Sequence, residues 1–304
     1  MALVPFRELM AEAERGGYAV GYFESWSMES LLAVADAAEA VRSPVLLGFS
    51  GIYLPHPDRA RPDPLSAYAA LGRDVCAALS VPAALVYNES PDLDSVLAAV
   101  DLGFGLVMYS DEFLPPHVLE GRVRSVVEHA HRYGAAVEGE TAPLPGLRGK
   151  LESRPAGLQL SDPVSAREFV DVTQLDAFAV NIGQMHLHGR QEVHLDFDRL
   201  RALKETLSVP LVLHGATSVS KPDLVEAIRS GIRKVNVGSK LKQVYFNALQ
   251  AACGSAGVDP NPYEVIGSGL PSDVLIQARI ALQETVEEMM VILGSSGKAW
   301  SGDP

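Results

Sequence analysis

Cysteine is almost absent: Cys76 and Cys253 are the two in 304 residues. At most one disulfide could form, so a cross-linked secreted scaffold is excluded and a reduced, cytoplasmic protein is expected. Basic side chains are also scarce, 25 against 38 acidic, for a net charge of −13. That balance argues against non-specific binding to nucleic acid or an anionic membrane and leaves room only for a local basic pocket. No apolar run reaches the ~18 residues of a spanning helix. The opening MALVPFRELMAEAERGG has no basic region followed by an apolar core, so it does not read as a secretory leader. Internal repeats and low-complexity tracts are missing as well. What is plentiful is apolar residues, 47% of the chain. A chain of this size buries a full core without staples.

Those apolar residues fall into a rhythm. Short runs stand at residues 17–23 (GYAVGYF), 44–50 (PVLLGFS), 82–88 (PAALVYN), 106–110 (LVMYS), 135–140 (AAVEGE), 177–182 (AFAVNI), 210–214 (PLVLH) and 234–238 (KVNVG). Amphipathic stretches follow them in turn at 28–41, 64–79, 92–102, 116–133, 163–174, 196–207, 222–230 and 241–252. Nearly continuous apolar strands signify a parallel sheet buried on both faces, with a helix in each crossover. Eight such units predict a closed (β/α)8 TIM barrel. A doubly wound open sheet is the rival, but no glycine-rich phosphate turn follows the first strand. The reading is one barrel domain over 1–304, with 254–304 as a C-terminal helical extension. The extra helix, 273–293, is apolar on more than one face, so it packs on the barrel or on a partner subunit in a homodimer or homotetramer. The Pro/Gly-rich stretch 141–160 is a long loop of the kind that carries function.

Active sites of such barrels lie at the carboxyl ends of the strands. Those ends offer Glu24, Ser50, Asn88 with Glu89, Ser110 with Asp111 and Glu112, Glu138 with Glu140, His186 and His188, His214, and Asn236 with Ser239. Glu89, His186 and His214 come from three separate strand ends and suit one divalent ion: zinc, manganese, iron or cobalt. His188 is the rival to His186. The plainer reading of each histidine is a hydrogen-bonded loop residue. After strands seven and eight, HGATS (214–218) and NVGSK (236–240) bring small residues and the hydroxyls of Thr217 and Ser239 to the position where this fold commonly holds phosphate. Gly215 and Gly238 equally suit tight turns, and Lys240 equally suits a solvated position.

Taken together, GYAVGYF…MESLLAVADAAEAVRSPVLLGFS, DAFAVNIGQMH…LDFDRL, PLVLHGATS and KVNVGS resemble the class II, metal-dependent fructose/tagatose-bisphosphate aldolases over nearly the whole chain. The resemblance implies a (β/α)8 barrel and a small phosphorylated substrate. It also implies a divalent metal, zinc first, that stabilises an enediolate. By it, His186 and His214 fall on metal histidines and Glu140 on a glutamate near the metal. Gly215, Thr217, Asn236 and Ser239 fall on phosphate and dihydroxyacetone positions, and Ser50 on a pocket serine.

The departures touch the chemistry. Where the family reads HLDHG, this chain has Val86-Tyr87-Asn88-Glu89-Ser90, so the catalytic aspartate is Asn88 and the adjacent metal histidine is Glu89. An amide cannot act as a base, whereas a His₂Glu set can bind zinc. Ser110 and Gly238 replace family aspartates, Leu187 a glycine, and TAPLPG (141–146) a glycine-rich loop. An aldolase-like lyase acting on a ketose phosphate or keto compound other than ordinary fructose 1,6-bisphosphate is therefore expected, its base drawn from Glu24, Asp111 or Glu138. A metal-dependent sugar-phosphate isomerase or epimerase and a non-catalytic sugar-phosphate binder are the alternatives.

Overall fold

A computed structural model describes residues 2–142, 144, 159–185 and 193–300. Eight parallel strands close into a barrel in chain order. They are β1 (Val20–Ser25), β2 (Val45–Ser50), β3 (Ala83–Ser90), β4 (Leu106–Tyr109), β5 (Ala136–Gly139), β6 (Ala177–Val180), β7 (Leu211–Leu213) and β8 (Ile232–Val237), with β8 pairing back onto β1. The expected (β/α)8 topology is what forms. Each crossover carries a helix: α2 (Met28–Ala40), α3 (Leu65–Ala78), α4 (Leu93–Asp101), α5 (Pro116–Arg132), α6 (Pro163–Thr173), α7 (Phe197–Thr206) and α8 (Lys221–Arg229). Most begin on a local device. Ser27 and Ser30 form a reciprocal cap on α2, and Asp92, Asp162, Asp196 and Ser220 accept from the first-turn amides of α4, α6, α7 and α8.

Among the described residues, three helices lie outside the strand–helix rhythm. Helix α1 (Phe6–Gly16), which the apolar periodicity did not single out, turns Phe6, Leu9, Met10 and Ala13 into the cluster that fills the barrel interior, so it covers the amino-terminal end. After β8 come α9 (Ser239–Ser255), the short α10 (Pro262–Val265) and α11 (Val274–Ile292). Helix α11 buries Val274, Ala278, Leu282, Val286 and Met290, one residue every fourth, which makes a single stripe. That stripe packs on α2 and α9, across the seam where β8 meets β1. Cys76 is buried and Cys253 exposed, and both are free. Among the described residues, no helix is long and apolar enough to cross a membrane.

Inside the barrel, side chains alternate in and out along each strand. Ala84, Val86, Leu106, Met108, Ala136, Ala177, Ala179 and Val212 face inward. Their small average size leaves room for larger polar side chains. Lys234 and Glu138, both fully buried, fill that room as an ion pair, Nζ to Oε2 at 2.8 Å. Lys234 also donates to Asn236 Oδ1 at 2.6 Å. Between β2 and β3 there is no slack at all. A Cβ on Gly48 would stand 2.0 Å from the carbonyl oxygen of Val86, a backbone atom locked in the sheet.

Two stability outcomes follow. Gly48→Ala should lower stability by about 1–3 kcal/mol or more, since backbone rather than a flexible side chain must yield. Lys234→Met, which removes one of the two cations that hold the buried Glu138 carboxylate, should cost about 3–5 kcal/mol. Urea unfolding of the two variants beside the parent measures both.

Candidate functional site

The carboxyl ends of the strands open into a cavity of about 280 Å³, walled by Glu24, Ser50, Asn88, Glu89, His214, Gly215, Thr217, Asn236, Gly238 and Ser239 among others. Strand β3 supplies two successive members, although neighbours on a strand normally point to opposite faces. The backbone explains the exception. The β3–β4 register shifts between Tyr87 and Ser90. Within that bulge Glu89 adopts φ +48°, the left-handed region that non-glycine residues rarely enter. The bulge re-aims Glu89 so that it joins Asn88 at the cavity wall. Such a conformation costs about 1–3 kcal/mol and characteristically occurs at functional sites.

His214, at the end of β7, is held from two sides. Its Nε2 donates to Glu138 Oε1 at 2.6 Å, and its Nδ1 lies 3.4 Å from Glu89 Oε1. Burial opposes its charged form. The flanking carboxylates Glu89 and Glu138 outweigh burial and lift its pKa to about 10. Glu138 is buried too. Lys234 and His214 overcome that burial and keep its carboxyl below the usual range. Asn88 donates to Glu89 Oε2 at 3.0 Å and accepts from Asn236 Nδ2 at 3.1 Å. Both faces of the amide are thereby committed. Glu140 differs from the rest: burial, then repulsion from Glu89, raises its pKa to about 7, while its Oε1 accepts from Ser110 at 2.5 Å.

The three expected sources of a base separate clearly. Glu24 opens onto the cavity. Asp111 lies with Ser110, Glu112 and Glu140 on a neighbouring cavity of about 320 Å³. Glu138 is fully buried beneath His214. Gly215, Thr217, Asn236, Ser239 and Ser50 come together in the first cavity. Gly215 takes φ +65° and turns the chain into the short helix Ala216–Ser218, and Ser239 opens the long helix α9. Lys240 faces a smaller neighbouring cavity.

The metal reading can be examined only in part, because His186 and its rival His188 lie outside the described residues, as do Leu187 and most of the stretch 141–160. Among the described residues, no three His, Cys, Asp or Glu side chains are grouped as a metal site. The donors that are described have suitable chemistry. With Nε2 donated to Glu138, His214 keeps Nδ1 facing Glu89, and a metal-binding imidazole is commonly held through its other nitrogen by a carboxylate.

Several groups escaped the sequence reading. Lys234 stands two residues before Asn236, so strict alternation would have placed both inward. Tyr22 stands two before Glu24; its buried hydroxyl has no hydrogen-bond partner among the described residues, and burial followed by the charges of Glu24, Glu89 and Glu138 pushes its pKa well up. Lys242, one turn into α9, binds Glu24 Oε1 at 2.5 Å, a contact across 218 residues that no local pattern reveals. Glu24 Oε2 lies 2.5 Å from where a Cβ on Gly238 would be. The glycine therefore makes room for a carboxylate delivered from β1.

Known proteins share this fold. The structure resembles the YdjI aldolase of Escherichia coli K12, with a TM-score of 0.80 and 25% identity, covering 98% of this chain and 100% of that one. It also resembles a protein of Coccidioides immitis described as a putative fructose-1,6-bisphosphate aldolase, at 0.78 and 25%, covering 96% of each. Fructose-bisphosphate aldolase of Campylobacter jejuni, at 16% identity and a TM-score of 0.77 over 98% of this chain and 97% of that one, shares the fold. The sequence model of class II fructose-bisphosphate aldolases matches residues 4–298, so this chain belongs to the class II fructose-bisphosphate aldolase family.

Proposed function

We propose that the chain is a metal-dependent aldolase-type lyase that cleaves or forms a C–C bond in a phosphorylated ketose or related keto compound other than ordinary fructose 1,6-bisphosphate. The observation that carries this reading is His214, oriented by Glu138 through Nε2 and facing Glu89 through Nδ1 at the wall of the cavity. Glu89 and His214, with His186, would hold the ion, and Glu140 stands by as an alternative ligand. When bound, a divalent ion supplies Lewis acidity to a substrate carbonyl.

The remaining work falls to the protein's own side chains. Gly215, Thr217 and Ser239 bind the anionic end of the substrate through backbone N–H groups and hydroxyls. Asn88 orients the substrate and cannot take its proton. Of the three candidate bases, Glu24 is the one that opens onto the same cavity, and it accepts the proton of the substrate hydroxyl. The departure of Asn88 and Glu89 from the family pattern supports a substrate other than fructose 1,6-bisphosphate.

Three outcomes test the proposal. Purified protein should contain one equivalent of zinc, manganese, cobalt or iron by elemental analysis. Chelation should abolish activity on a panel of phosphorylated ketoses, with little cleavage of fructose 1,6-bisphosphate before or after metal is restored. Protein without metal and indifferent to added zinc or manganese refutes the metal-dependent reading. So would a kcat on fructose 1,6-bisphosphate anywhere in the ordinary enzyme range, roughly 1–10³ s⁻¹, for the choice of substrate. Thr217→Val should weaken binding of a ketose phosphate by roughly 10- to 100-fold and leave the unphosphorylated ketose almost unchanged. Equal losses for the two ligands would assign Thr217 to loop support.

A further inference from the structure

Among the described residues lining the cavity, Lys242 is the one lysine or arginine. It does not wait as a free cation. Its Nζ binds Glu24 Oε1 at 2.5 Å, with the two side chains 38% and 16% exposed. The same Nζ lies 4.2 Å from the centre of the Tyr53 ring and 5.8 Å from that of Trp26. Glu24, Tyr53 and Lys242 share the cavity with Gly215, Thr217 and Ser239.

This placement sets up a competition. An anion entering beside Thr217 and Ser239 meets the carboxylate of Glu24, which repels it, and the ammonium of Lys242, which Glu24 neutralises. A half-exposed ion pair of this kind is weak, whereas a phosphate monoester brings nearly two negative charges at neutral pH. The aromatic rings favour the ammonium through their faces and hold it over the cavity when its carboxylate partner is lost.

We propose that Glu24–Lys242 is an exchangeable ion pair: the phosphate of the ligand takes Lys242 from Glu24, and the exchange leaves the Glu24 carboxylate free to face the substrate. Anion binding is thereby coupled to exposure of the carboxylate. The inference rests on the proposed function only in taking the ligand to be a phosphate monoester. Lys242 is then a ligand-binding residue, and Glu24 is its competitor in the free protein.

The two partners should shift phosphate affinity in opposite directions, which a merely structural ion pair would not do. Inorganic phosphate is titrated calorimetrically into the parent, Glu24→Gln, Lys242→Met, Lys242→Arg and the Glu24→Gln/Lys242→Met double variant, with a melting curve for each. Glu24→Gln should bind phosphate roughly 3- to 10-fold more tightly, on the scale of one surface ion pair. Lys242→Met should bind it about 10-fold more weakly, and Lys242→Arg within about 3-fold of the parent. The double variant should bind no better than Lys242→Met, because the gain from Glu24→Gln needs the lysine. Weaker or unchanged binding by Glu24→Gln in a protein that melts like the parent overturns the exchange. Unchanged binding by Lys242→Met overturns the role of the lysine. A parent that takes up no phosphate overturns the phosphate reading of the cavity itself and this inference with it, whereas a parent that binds phosphate with unaltered affinity in Glu24→Gln overturns the inference alone.

Discussion

The carboxylate of Glu138 is the fixed point of the barrel mouth. One oxygen receives Lys234 and the other receives His214, all three side chains being buried. A buried carboxylate is tolerable only when its charge is matched and its oxygens are hydrogen-bonded. Satisfying it dictates where its partners stand. Lys234 is drawn inward and in turn fixes the Asn236 amide, whose Nδ2 is left to reach Asn88. His214 is fixed through Nε2, which decides which nitrogen remains at the cavity wall. The chain of contacts from β5 through β7 and β8 to β3 is one connected unit.

Above that unit the charges resolve pairwise. Glu138 is matched by Lys234, Glu89 by His214 and Glu24 by Lys242. Glu140 is instead held by Ser110, and burial beside Glu89 raises its pKa to about 7. A site so balanced admits a charged ligand only by disturbing one of the pairs. The weakest is the one that solvent reaches, at the rim, while the innermost pair stays put. The floor of the site is thus built for rigidity and its rim for exchange.

The barrel was legible because burial on both faces writes each strand as a short apolar run. The observed strand and helix ends fall within a few residues of those runs. Helix α1 was missed because it answers to no strand and faces the barrel end rather than its flank. The ends of the strands told which residues reach the mouth, so Glu24, Asn88, Glu89, His214 and Asn236 were all found. They did not tell how those residues share it. That Asn88 and Glu89 stand side by side depends on a bulge and a positive φ, neither of which follows from the letters N-E-S. That Glu24 and not Asp111 opens onto the cavity depends on how the eight ends converge. Tyr22 and Lys234 were hidden by the very rule that revealed the strands, since a polar residue inside an apolar run looks like a lapse rather than a partner.

Helix α11 gives the molecule a temporal order. It spans α2, near the start of the chain, and α9, near the end, and the backbone of Ala19 donates to Leu293 close beside it. The β1–β8 seam that it covers joins the first strand made to the last. During synthesis, strands two to seven emerge and can pair with their predecessors, but the ring cannot close before β8 has emerged, because its closing contact joins the most distant strands. Glu24 and Lys242 face one another across that seam. A chain ending before α11 would carry all eight strands together with Glu24 and Lys242, yet lack the helix that covers the β1–β8 seam. Helix α11 thus clamps the first strand–helix unit to the last, and that clamp is the final ordered part of the chain to be made.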